Sequence, residues 1–388
     1  MNPSPFVLGI ELIDDPGWMG GTLYLRNLAL CLARLHKVER PDIRLLGSPA
    51  TVRAFVAEHP GIFPPEAASA QTPWRCWLSK FGWSAASGGG RIDVVYPGFG
   101  AAIPGATIVR WIPDFQHRHL PHLFSNEEIT ARDRSIGAIA EKPGIVVLSS
   151  KVAADDFSRF FPGHVATPRV WHFRSLLDLT DEAEKTVFGV CRAHDLPHKY
   201  LYLPNQFWVH KNHITVLRAL ALLRKREGLK IPLVCTGAQS DRRNANHFEN
   251  LQVFIRDSGI ADQVHLLGLL PRGQQIAVLR GAAAVVQPSL FEGWSTVVED
   301  VRATGRPILL SAIPVHQEQA PPRAFYFTPE SVEELATILS REWPRLGHGP
   351  DPIAEGIARS DVEKLVIESA YTFCNIARSA IAAGSLAQ

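Results

Sequence analysis

Short apolar runs alternate with amphipathic, capped stretches from one end of this 388-residue chain to the other, and no other feature narrows the fold as much. Strand, helix and parallel strand in succession build sheets covered by helices on both faces. The alternation therefore predicts an α/β fold of doubly wound, Rossmann-like sheets. Strands are predicted near Phe6–Glu11, Ile43–Leu46, Ile92–Tyr96, Thr107–Ile112, Ile145–Leu148 and Val165–Trp171, with helices such as Gly21–Leu35 and Asn126–Glu141 between them. Ser125 and Glu128 make an S-x-x-E capping box for the second of these helices. The pattern restarts with Tyr200–Leu203, Leu233–Cys235, Val264–Leu267, Ala283–Val286 and Pro307–Leu310. Two domains of one class follow: 1–174 and 198–355, with a polar linker at 175–197 and a last helix at 356–388 that returns to the first domain. Ser360 and Glu363 read as a capping box for that last helix. The cleft between the domains is the default ligand site.

Composition removes several function classes. Forty basic against 38 acidic side chains leave a net charge of +2, which does not favour nucleic acid as a partner. The five cysteines, Cys31, Cys76, Cys191, Cys235 and Cys374, are odd in number and form no C-x-x-C pair, as in a reducing, cytoplasmic compartment. The N-terminus has no basic, leader-like segment, and no uncharged run reaches the ~18 residues of a membrane span, so a soluble protein is expected. In PWRCWLSKFGW, Trp74, Trp77 and Phe81 share a helical face near Arg75 and Lys80. Such a face suits peripheral contact with a lipid headgroup layer, although a buried packing stripe is the favoured reading.

The segment Gln287–Ser311, QPSLFEGWSTVVEDVRATGRPILLS, carries the most chemistry. A strand ends in a turn and a helix starts near Ser295, which puts Glu292 at the carboxyl end of a parallel strand, where Gly293 lets the backbone approach a ligand. The amides of Trp294, Ser295 and Thr296 then form a helix N-terminus suited to a phosphate. Glu299 and Asp300, a turn or two on, could accept hydrogen bonds from sugar or ribose hydroxyls. A capped turn whose acids merely favour the helix dipole accounts for the same spacing.

PSLFEG, an acid eight positions beyond Glu292, and ATGRPILLS resemble the E-x7-E signature of family 4 (group 1) retaining glycosyltransferases of GT-B fold. The resemblance implies that Glu292 contacts the donor sugar and that Asp300, which stands where Glu is usual with Glu299 beside it, holds the nucleotide ribose. It implies that Lys211, next to Asn212 in NQFWVHKNHITVLRAL, faces the leaving diphosphate, while Gln206 replaces the family's Arg; Arg272 is a candidate, by position, to supply the missing charge. In DDPGWMGGTLYLRNLAL, Gly20 and Gly21 take the place of the family's glycine-rich donor loop, or of a sharp left-handed turn. In WIPDFQHRHLPHLFS, Asp114 and His117 stand near the family's Asp and His. With His119 and His122 they also read as a polar loop or, least favoured, as a zinc site. The whole implies a glycosyltransferase that moves a sugar from a nucleotide-diphosphate sugar to a sugar or lipid-linked acceptor with retention, in surface polysaccharide or glycoconjugate synthesis, without metal or other cofactor. The first domain would bind the acceptor and the second the donor. The alternatives are a catalytically weakened sugar-nucleotide binding protein and a metal-dependent hydrolase built on the histidines.

Overall fold

The computed structural model describes residues 6–13, 15, 18–58, 62–63, 84–85, 91–100, 103–177 and 181–386. The aromatic, basic stretch 73–83 lies outside them. The chain forms two compact units: Met1–Phe115 with Thr130–Leu176 and Glu363–Gln388, and Gln116–Ile129 with Leu177–Val362.

In the first unit, β1 (Val7–Glu11), β2 (Asp42–Gly47), β3 (Ser84–Ala85), β4 (Val94–Tyr96) and β5 (Thr107–Ile108) form a sheet ordered β3-β2-β1-β4-β5. Only β3 runs antiparallel to its neighbour. A second parallel sheet is ordered β6 (Arg110–Ile112), β7 (Ile145–Leu148), β8 (Thr167–Val170). The sequence predicts a single strand at Thr107–Ile112. The chain changes sheet at Val109, whose N–H bonds Val95 while Arg110 goes on to pair with Val146. These strands are apolar on both faces, with Leu8, Ile10, Val146 and Val147 fully buried, because helices cover each side. The helices are α1 (Met19–Ala33), α2 (Pro49–Glu58), α3 (Gln116–His119), α4 (Asn126–Ala140) and α5 (Lys151–Phe160), of which α3 belongs to the second unit. The capping box of α4 forms as expected: Ser125 N–H donates to Glu128 Oε2 (3.1 Å) and Glu128 N–H to Ser125 Oγ (3.2 Å).

The second unit opens with α6 (Asp181–Ala193). The expected linker at 175–197 therefore contains a 13-residue helix, held because Val187 and Val190 are buried with Tyr200 and Val278. Strands β9 (Leu201–Leu203), β10 (Leu233–Cys235), β11 (Val264–Leu266), β12 (Ala284–Gln287), β13 (Ile308–Ser311) and β14 (Ala324–Phe327) form a fully parallel sheet ordered β11-β10-β9-β12-β13-β14. The strand order reverses between β9 and β12, the switch point of a doubly wound sheet. Helices α7 (His213–Glu227), α8 (His247–Asp257), α9 (Arg272–Gly281), α10 (Thr296–Thr304), α11 (Pro314–Gln319) and α12 (Val332–Glu342) connect the strands or close the unit.

The last helix, α13 (Pro352–Leu386), is unbroken over 35 residues. Ser360 and Glu363 lie inside it, so they cap nothing; the cap is Asp351, whose Oδ1 accepts the Ala354 N–H at 3.0 Å. Its opening turn is pinned in the second unit by Glu355, which receives Arg280 Nε (2.9 Å) and Nη2 (2.8 Å) in a buried bidentate pair. Its later turns belong to the first unit: Trp171 Nε1 donates to Ser369 O (3.0 Å), and Phe373 meets Tyr96 edge-on at 4.9 Å.

Candidate functional site

Beyond β9 the chain turns through a 3-10 segment, Val209–Lys211, into α7; beyond β12 it turns through 288–295 into α10. These turns adjoin because β9 and β12 are paired neighbours, with Tyr202 opposite Val285. They are laced together by Asn205 Nδ2 to Gln287 Oε1 (2.7 Å), Asn212 Nδ2 to Pro288 O (3.1 Å) and Leu290 N–H to His210 O (2.8 Å). Asn212 can serve this way because it adopts a left-handed backbone (φ 55°) between the 3-10 turn and α7. Its amide is therefore committed to Pro288 and, through Oδ1, to the Thr215 hydroxyl (2.9 Å), rather than left free for a donor as the sequence suggests.

At the centre, Lys211 Nζ donates to Glu292 Oε1 at 2.6 Å, and both side chains are largely buried. Ser289 Oγ (2.7 Å) and Gln287 Nε2 (2.9 Å) donate to the same oxygen. Burial alone would raise the Glu292 pKa, but the Lys211 ammonium, through its charge and its hydrogen bond, outweighs it and holds the carboxyl below its ordinary range. Burial lowers His210 to about 3 and His316 to about 4, so both imidazoles are neutral. His316 Nδ1 donates to Ser311 O (2.9 Å), which leaves its Nε2 the unprotonated nitrogen. Gln287, Ser289, His210 and His316 were not candidates in the sequence. The one signal for them is a polar residue, Gln287, closing an otherwise apolar strand.

The acidic pair on α10 is engaged within the unit. Glu299 is buried and accepts from Gln319 Nε2 (3.1 Å), with Arg302 Nε at 3.5 Å. Asp300 accepts from Arg272 Nη2 at 2.6 Å. Arg272 thus has its charge matched by Asp300, which holds the arginine cation above its ordinary pKa against the opposing effect of burial. The helix N-terminus is also partly spent. Ser295 N–H donates to Gln319 Oε1 (3.1 Å), so it is not the open phosphate donor expected from the sequence, whereas Thr296 begins the helix beside a buried Trp294. Gln206 lies on the turn after β9, and Gly293 directly follows Glu292.

In the first unit Gly20 and Gly21 are helical, inside the opening turn of α1, which removes the left-handed turn as their role. A Cβ on Gly21 would stand 2.6 Å from Ile13 and 2.8 Å from the Trp18 ring, so packing alone accounts for that glycine. Trp18 in turn stacks on Trp111 at 5.4 Å. Asp114 follows β6 in the first unit, and His117 lies in α3 of the second. The three histidines have separate surroundings: His117 is fully buried beside Phe124, His119 packs its ring on Phe291 at 5.1 Å, and His122 is exposed. Among the described residues, no group of three His, Cys, Asp or Glu side chains converges as metal ligands, and no helix is long and apolar enough to cross a membrane.

Residues 193–341 match the family model of glycosyl transferases group 1. No curated protein matches the chain. Among solved structures, the chain is similar to Anabaena HepE in complex with UDP and glucose (15% identity, 98% of this chain and 99% of that one, TM-score 0.60). It is likewise similar to sucrose-phosphate synthase from Thermosynechococcus elongatus (14%, 99% and 98%, 0.59) and to a glycosyltransferase from Rickettsia africae (13%, 97% and 96%, 0.58). At these identities the likeness is one of fold.

Proposed function

We propose that this chain, whose residues 193–341 match the family model of glycosyl transferases group 1, is a glycosyltransferase that moves a sugar from a nucleotide-diphosphate sugar to a hydroxyl acceptor with retention at the anomeric carbon. The observation that carries the reading is the buried Lys211–Glu292 pair at the switch point between β9 and β12, the place where doubly wound sheets take nucleotides. Lys211 offers a fixed cation to the departing diphosphate. The hydrogen bonds that Lys211, Gln287 and Ser289 donate to Glu292 all end on Oε1, so Oε2 is the oxygen disposed to accept from a hydroxyl of the donor sugar. Among the described residues, no second carboxylate joins Glu292 at the Lys211 turn as a nucleophile. The reaction is therefore written as a front-face substitution: the bond from anomeric carbon to diphosphate oxygen breaks, the acceptor oxygen bonds on the same face, and its proton passes to the departing oxygen.

Asp300 is the acid we assign to the ribose: Arg272 takes its Oδ1 and leaves Oδ2 to accept from a hydroxyl, whereas Glu299 has Gln319 on Oε1 and Arg302 beside Oε2. Arg272 supplies no free charge in place of the family's Arg, so Lys211 bears most of the leaving-group stabilisation. UDP is the first base to test, because HepE is a UDP complex. We assign the acceptor to surface polysaccharide or glycoconjugate synthesis in the cytoplasm, with no metal required. Calorimetric titration with UDP, GDP and ADP in the presence of a chelator tests the reading. Selective binding of one diphosphate that is lost in Lys211→Ala supports it, and binding of none overturns it.

A further inference from the structure

The turn that carries Lys211 does not cap itself. Val209–Lys211 is a single 3-10 turn, and Trp208 before it, extended in backbone, offers no side-chain hydrogen bond to its first amides. Lys211 N–H reaches Trp208 O (2.9 Å) and Asn212 N–H reaches Val209 O (3.0 Å), so the Val209 N–H, like any N–H at a helix start, has to be met from outside the turn. Asp241 meets it. This residue lies 32 positions further along, in the turn after β10, and its Oδ2 accepts the Val209 N–H at 3.0 Å.

Asp241 is buried and is itself held in place. Its Oδ1 accepts the Arg243 N–H two residues on (2.9 Å), an Asx-type bond that shapes its own turn and leaves Oδ2 to reach across. Arg243 is anchored in its turn, with its guanidinium over the Phe124 ring at 4.1 Å and Nε 3.4 Å from Glu128. Further back, Phe207 N–H donates to Ala238 O (3.0 Å) and Gly237 N–H to Gly268 O (2.8 Å), so the turn after β10 is fixed against both neighbouring strand ends. Both carboxylate oxygens of Asp241 are thus spent on main-chain N–H groups, one in its own turn and one in the turn of Lys211. A lysine ends in a compact ammonium on a flexible stem, and its charge is placed only as firmly as the two ends of that stem. One end is Nζ on Glu292 at 2.6 Å; the other is the backbone that Asp241 caps.

We propose that Asp241 is a positioning residue for the transfer: its carboxylate supplies the cap that the Val209–Lys211 turn lacks locally, and so sets where the Lys211 ammonium stands. The inference rests on the reading of Lys211 as the cation for the departing diphosphate.

Calorimetric titration with UDP, GDP and ADP, each against its monophosphate, tests it. A displaced Lys211 weakens the contact to a diphosphate and leaves the rest of the nucleotide alone. Asp241→Ala should therefore shrink the preference for diphosphate over monophosphate by about fivefold or more, with monophosphate affinity kept within about twofold. Asp241→Asn, whose amide keeps one accepting oxygen, should retain more of the preference than Asp241→Ala. Arg242→Gln, an exposed change on the same turn, should alter neither affinity. In the free protein, amide hydrogen exchange at Val209, Lys211 and Asn212 should be about tenfold faster in Asp241→Ala, while Leu201–Leu203 of β9 and the buried turns of α7 exchange as before. An equal fall in both affinities would mean a general disturbance of the nucleotide site, and a gain in diphosphate affinity in both variants would mean that Asp241 acts by its charge. Either result, or an unchanged preference, overturns the proposal, as does unchanged exchange at the turn. Failure of the unaltered protein to bind any diphosphate removes the transferase reading; the exchange measurement then decides by itself whether Asp241 holds the turn.

Discussion

Acid should destabilise the second unit well above the pH at which its carboxylates protonate. His210, His213 and His316 are buried there and held neutral, with pKa values lowered to about 3, 3 and 4 chiefly by burial. In the unfolded chain each returns to about 6.5. A base whose folded pKa is depressed contributes its full stability above the unfolded value and loses it as pH falls toward the folded one, so the window runs from about pH 6.5 down to about pH 4 for His316 and about pH 3 for His210 and His213. Moving from about pH 8 to about pH 5 favours the unfolded form by about 2 kcal/mol per histidine, or about 6 kcal/mol for three. That is comparable to the whole stability of a typical domain, about 5–15 kcal/mol. Urea unfolding followed by circular dichroism at the two pH values gives the free-energy difference, and a pH-stat measurement of unfolding near pH 5 should find about three protons taken up by these histidines, with His247, also lowered by burial, adding to them. His213→Leu, which retains an apolar group against Phe207, should reduce the uptake by about one proton. Uptake below one proton, or free energies equal within about 1 kcal/mol, would refute the assignment of all three as neutral.

Three further outcomes are expected. Glu292→Gln should lower the rate of sugar transfer by about tenfold or more with UDP affinity little changed, because a neutral amide holds the sugar hydroxyl less strongly; wild-type turnover would remove Glu292 from the reaction. Arg280→Met should cost about 3–5 kcal/mol by stranding buried Glu355, and Arg280→Met/Glu355→Leu should recover much of that; chemical denaturation of the two proteins decides it. Gly237→Ala should destabilise the second unit by at least about 2 kcal/mol, since φ is 132° and the new Cβ would stand 2.3 Å from Asn205 O, a clash readable as a lowered melting temperature.

The elements legible in the sequence are those set by local pattern. A buried parallel strand is apolar on both faces, so Leu233–Cys235 and Ile145–Leu148 show as short apolar runs; the Ser125–Glu128 box is read over four residues because its hydrogen bonds close within one helical turn. Lys211 and Glu292 could be singled out for a related reason: each follows a recognisable strand, and the carboxyl ends of parallel strands gather on one sheet edge. What the pattern does not contain is which neighbour uses up a polar group. Ser360 and Glu363 have the spacing of a cap, yet Asp351 starts the helix nine residues earlier. Asn212, Glu299 and the Ser295 amide look available in the chain, but Pro288 and Gln319, brought in by tertiary packing, take their hydrogen bonds, with Thr215 of α7 adding a local one to Asn212. Arg272 and Asp300 lie 28 residues apart and meet only because α9 and α10 flank one strand. Local periodicity determined the sheets and the edge on which the chemistry sits. Long-range pairing decided which side chains on that edge remain free, because a hydrogen bond or an ion pair belongs to two residues, and their separation in sequence leaves no trace in either one.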